Sequence, residues 1–199
     1  MNEKESHDLM RILSSLACGI FVKTSAVDIL KQRLKKYDKK LYRSLFQNKD
    51  TKISEDQKRK MESEYLAFIL FIIRKGCLIR GISNRVIGII RLDVCTKLME
   101  LGIIQRVIYY ENQEEIMDKT LELMKMFDDR FNVYSEASII HGDGYNTMVQ
   151  FSRIVAKNIF GDILYKQRNV FLKLSIESII GFMLSVDGKL VTDTIDKAC

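Results

Sequence analysis

Not one of the 199 residues is proline. Proline removes a backbone donor and clashes with the preceding turn, so a chain without it carries no forced helix break. Abundant Leu, Ile and Lys, with 9 Met, add side chains that lose little freedom in a helix. No strand signal of any length competes, and the expected fold class is all-α. With 47% apolar residues the chain can build one sizeable core.

Caps and stripes divide the chain. Ser6 opens a first helix with the stripe Leu9, Ile12, Leu13, Leu16, Ile20. Thr24 and Ser25 restart the chain into a second, with Val27, Leu30, Leu34, Tyr37, Leu41 and Leu45 at helical spacing. Its other face holds Lys31, Lys35, Lys36, Lys39, Lys40 and Arg43. That is either a solvated face or one that lies on a membrane or an acidic partner. The capping box "SEDQ" at Ser54–Gln57 starts a helix expected to reach Lys75 and stop at Gly76. Ser83 caps the next, which runs to Leu101 with Gly102 beyond it. "NQEE" at Asn112–Glu115 opens another, with the stripe Ile116, Thr120, Leu123, Met124, Phe127. The pattern then fails from Asn132 to Asn146. The glycines of "HGDGYN" lack the lysine and the strand–helix setting of a phosphate loop and read as a plain turn. Asn146 caps a helix through "TMVQFSRIVAKNIF", and apolar residues dominate again from Val170 to Leu184. Apolar residues around most of the circumference mark the helices at about 147–160 and 170–187 as a buried central hairpin wrapped by amphipathic helices.

Several chemistries lack their residues. Cys18, Cys77, Cys95 and Cys199 are far apart, and with only His7 and His141 beside them no metal or cofactor is expected. They read as reduced intracellular thiols. There is no G-x-S-x-G, no H-E-x-x-H and no histidine set to serve a nucleophile, so no enzyme is expected. A net charge of +6 permits acidic partners or membrane surfaces without demanding nucleic acid, and none is expected. The longest unbroken apolar run, Tyr65–Ile73, is too short to cross a bilayer, and "MNEKESHDLM" is no secretory signal. The chain as given reads as soluble.

One charge stands out. Arg153 falls in the first turn of an apolar helix, beside Phe151, Ile154 and Val155. A cation there needs a counter-charge or an exit to solvent. An apolar groove with one fixed cation suits an amphipathic helical ligand bearing an acid. The alternative is an intramolecular pair with Asp143 or Asp128.

These residues resemble a known family. "QFSRIVAKNIFG", Gln150–Gly161, is similar to the first homology motif of the Bcl-2 apoptosis regulators, with Arg153, Ile154, Val155, Ala156, Phe160 and Gly161 matching. Gln150, Phe151 and Ser152 stand where the family has Asn, Trp and Gly. "VCTKLMELG", Val94–Gly102, resembles the death-motif helix, with Ile103 where that motif has Asp. "EYLAFILFIIRKG", Glu64–Gly76, resembles the first family helix.

The resemblance implies a Bcl-2-like helical domain over 54–199, preceded by a helical extension, 1–53, of unassigned role. It implies a pro-survival protein that binds death-motif (BH3-type) helices of pro-apoptotic partners in an apolar groove and restrains cell death. In that groove Arg153 pairs with the ligand's Asp, Gln150 offers a hydrogen bond and Ser152 keeps the wall small. Phe151, Val155, Ala156, Phe160, Val94, Leu98, Met124 and Phe127 supply the apolar lining. It also implies a cytoplasmic protein, at the mitochondrial outer membrane or endoplasmic reticulum in the full-length form; the family's hydrophobic tail is missing after Cys199, so the chain is either trimmed or unanchored. Two alternatives remain: a pro-apoptotic pore former of the same fold, or an unrelated helical module acting through its basic helix.

Overall fold

The computed structural model describes residues 3–141, 144–165 and 189–198. Every regular element among them is helical: α1 (Glu3–Lys23), α2 (Ala26–Tyr37), α3 (Lys39–Phe46), α4 (Glu55–Ile79), α5 (Asn84–Glu100), a 3₁₀ turn (Ile104–Arg106), α6 (Glu115–His141), α7 (Gly144–Tyr165) and α8 (Lys189–Ala198). The local signals hold where capping chemistry sets them. Ser54 and Gln57 form the reciprocal capping box of α4. Asn112 accepts from the Glu115 backbone at 3.2 Å. Gly102 ends α5 at φ +67°, a left-handed conformation that costs a residue with a Cβ.

Several boundaries differ from expectation: α1 already runs from Glu3, so Ser6 lies inside it, and Ser83 makes no side-chain cap hydrogen bond at the start of α5. The second helix is interrupted at Asp38, whose non-helical backbone lets its carboxylate accept from the Leu41 amide at 2.8 Å and start α3. The helix from Ser54 runs past Gly76 to Ile79. The expected loop from Asn132 to Asn146 is helical through His141, because Phe131, Tyr134 and Ala137 continue the buried stripe of Phe127. The next helix then starts at Gly144, so Asn146 lies inside α7 rather than capping it.

The enclosed helix among the described residues is α4. Met61 to Phe71 are all buried, and α4 packs on α1, α2, α5, α6, α7, α8 and the 3₁₀ turn. The second half of the expected central hairpin, 170–187, lies outside the described residues. Its first half lies in α7, which has a core face of Phe151, Ser152, Val155, Ala156 and Ile159 and exposes Arg153 and Lys157. Aromatic contacts tie α7 and α6 to α4: Phe68 meets Phe151 at 4.9 Å and Tyr134 edge-on at 5.6 Å.

One contiguous core among the described residues runs from Leu9 to Ile195 and takes in residues of both segments, 1–53 and 54–199. His7–Tyr37 together are long and apolar enough, by length and composition, to cross a membrane. The chain breaks there at Thr24–Ser25, and Leu9, Leu13, Phe21, Leu30 and Leu34 face the core.

Two buried acids fix the surroundings of α4. Residues two apart on a helix point about 200° apart, so Glu62 and Glu64 leave α4 in nearly opposite directions. Glu62 accepts from Ser25 Oγ, from the Val27 amide at 3.2 Å and from Arg106 at 3.0 Å. It thus serves as the anion at the N-terminus of α2. Arg106 also donates to the Phe21 and Thr24 carbonyls, fastening the end of α1. Glu64 takes Arg130 Nε on both oxygens, at 2.7 and 2.8 Å, and the Tyr134 hydroxyl at 3.3 Å.

Burial raises the Glu64 carboxyl above its ordinary value, against the opposing pull of Arg130. Between the unfolded value near 4.5 and the folded one, the native state therefore holds a proton that the unfolded chain has lost. The contribution of this group to stability falls as pH rises through that window. Urea melts of wild type and Glu64→Gln at several pH values check the sign. The stability difference shifts in favour of wild type as the pH falls from 7 toward 4.5. A shift in favour of the variant would contradict the assigned direction.

Candidate helix-binding site

Arg153 is exposed on the outer side of α7 and makes no ion pair with any described residue. Of the two acids that could have neutralised it, Asp128 pairs instead with Arg91 of α5, and Asp143 lies outside the described residues. Gln150, one turn earlier, is partly exposed. The opposite face of α7 belongs to the core. Phe151, Val155 and Ala156 are buried there, and Ser152 is buried with no hydrogen-bond partner for its hydroxyl among the described residues. The side chain of Phe160 lies outside the described residues. Gly161 takes φ +67° and breaks the helical path of α7, so the Phe-Gly end of the motif falls at a turn in the chain.

The expected floor is closed. Val94, Leu98 and Phe127 have no exposed surface at all, and Met124 is partly buried against the same core. The reason lies in α1, whose packing on α5 is among the most extensive helix–helix contacts described. The Cys18 thiol reaches the Val94 carbonyl at 3.6 Å, so α1 covers the face of α5 that the floor would need. α5 and α7 each pack on α4 but are not closely packed on one another. Arg153 and the Val94–Leu98 pair are therefore not brought together in one surface. The α5–α6 seam is different: it is lightly packed, and Arg91–Asp128 bridges it.

Apolar side chains that do face solvent on α5 and α6 are Ile89, Leu92, Met117 and Leu121. Met117 and Leu121 form an i, i+4 pair beside the buried stripe of α6, a signal present in the sequence but overshadowed by the stronger stripe.

Other chemistry is scarce among the described residues. Burial pushes the Cys18 thiol up to about 11 and the Cys95 thiol up to about 12, which keeps both protonated and unreactive at neutral pH. No cluster of three or more described His, Cys, Asp or Glu could hold a metal. A cavity of about 390 Å³ lies between the starts of α2 and α4 and the 3₁₀ turn, lined in part by Lys58, Arg59, Glu62 and Arg106. Its buried acid already has three protein donors. No protein-family model, curated protein or solved structure matches the chain.

Proposed function

We propose that this protein binds the amphipathic death-motif helix of a pro-apoptotic partner and so restrains cell death, in a Bcl-2-like helical bundle. The observation that carries the reading is Arg153: a cation without an ion pair among the described residues, exposed on a helix whose other face is anchored in the core. Such a side chain is held in place by its helix yet free to meet an acid on a ligand. A bundle of amphipathic helices around an enclosed one supports the fold in its coarse form. The light α5–α6 seam supports a groove that opens on binding. Parting it separates the two helices that carry the exposed Leu92, Met117 and Leu121. Opening then competes with ligand affinity, as any shift to a less populated state does.

Arg153→Ala is the test. In the free protein this arginine is solvated, and stability changes by under about 0.5 kcal/mol. In the complex the pair is largely desolvated, and losing it costs about 2 kcal/mol, roughly thirtyfold in affinity. Calorimetric titration of death-motif peptides against folded wild type and variant reads both. Equal affinities, or no binding by wild type, remove the proposal.

A further inference from the structure

We propose that the α2–α3 edge docks on anionic lipid bilayers, through lysines arrayed on the outward faces of two successive helices. The inward residues Leu30, Leu34, Leu41 and Leu45 are buried, so both helices are locked in rotation. That rotation turns Lys31, Lys35, Lys36, Lys39, Lys40 and Arg43 to solvent. None of the six forms an ion pair with a described residue, although exposed cations elsewhere do, as in Lys60–Asp56 and Lys119–Glu122.

The charge asymmetry is large. Residues 31–52 hold nine Lys or Arg against two Asp, a net +7, while the whole chain carries +6. One of those two acids, Asp38, is engaged in capping α3. At the corner between the helices Tyr37 is 57% exposed, with Lys36 Nζ 4.9 Å from its ring centroid. Hydrogen bonding and charge from Lys36, with Arg33 behind it, lower the phenol from its ordinary value, as a concentrated positive potential would.

The residue types choose the partner. Five of the six cations are lysines, compact and strongly hydrated charges that suit a diffuse anionic headgroup layer. Nucleic acid and phosphopeptide sites favour the planar arginine fork, which here supplies one of the six. With its apolar side held in the core, this lysine-rich face meets a bilayer by charge, as a polybasic segment does at an anionic surface. This proposal does not rest on the helix-binding reading.

The experiment measures sedimentation of the full chain with phosphatidylcholine vesicles, with and without phosphatidylserine. Two double variants change net charge equally: Lys36→Glu with Lys40→Glu on the edge, and Arg85→Glu with Lys125→Glu at exposed positions elsewhere. Wild type partitions onto the phosphatidylserine vesicles only and is released near 1 M salt, where the Debye length is about 3 Å. The edge variant loses at least about tenfold in partitioning, and the other variant stays within about twofold. Circular dichroism melts confirm that both remain folded. Absence of wild-type partitioning, or equal losses in the two variants, overturns the proposal. So does a single-stranded oligonucleotide that wild type binds and the edge variant does not, with vesicles ignored.

Discussion

Arg130→Ala is expected to lower stability by about 3–5 kcal/mol, the cost of leaving a buried charge without its partner. The Glu64 side chain is 3% exposed and Arg130 26%. Their interaction is therefore mostly shielded from water, unlike an exposed pair worth under about 1 kcal/mol. Without the guanidinium, Glu64 keeps the Tyr134 hydroxyl and a hydrogen bond from Asn158, too little to hold an ionised carboxylate in the core. Protonation is its escape, so the loss shrinks as the pH falls. Glu64→Met in the same chain returns part of the stability, since no charge is then left buried, although the Tyr134 hydroxyl loses its acceptor. Lys60→Ala, which breaks an exposed pair with Asp56, moves it by under about 1 kcal/mol. Urea melts at neutral pH with an unchanged m-value measure all three. A loss below about 1 kcal/mol for Arg130→Ala would mean that water reaches Glu64.

Deleting residues 1–23 is expected to leave a chain that does not fold. Leu9, Leu13, Ile20 and Phe21 of α1 are all buried. At about 1.5–3 kcal/mol each they contribute roughly 6–12 kcal/mol, as much as the whole net stability of a domain this size. The deletion also uncovers α5 and removes the Phe21 carbonyl and ring that Arg106 engages. Leu13→Ala is the milder form, with a cost of about 2–5 kcal/mol at a site with no exposed surface. Circular dichroism and limited proteolysis distinguish the outcomes. A cooperative melt of residues 24–199 would show that α1 is dispensable.

What the residues determined alone is what acts over three or four positions. The absence of proline permits long helices, and the capping pairs Ser54–Gln57 and Asn112–Glu115 start two of them. Both partners of a cap lie within one turn, so the chemistry is readable in the string. The basic face of α2 and α3 was legible for the same reason, although Asp38 breaks the helix that carries it. Arg153 was singled out from its neighbours alone, and it is exposed.

Tertiary structure decided which helix is enclosed and which apolar residues are core rather than groove. Nothing in the string assigns a role to Glu62 and Glu64, because their partners, Arg106 and Arg130, lie 44 and 66 residues away. Val94 and Leu98 read as a groove floor because nothing near them shows that α1, some 76 residues earlier, lies against them. A periodic stripe states that a face is buried without stating by what. Only the assembled chain supplies the covering helix, since burial and charge pairing depend on which distant surfaces meet.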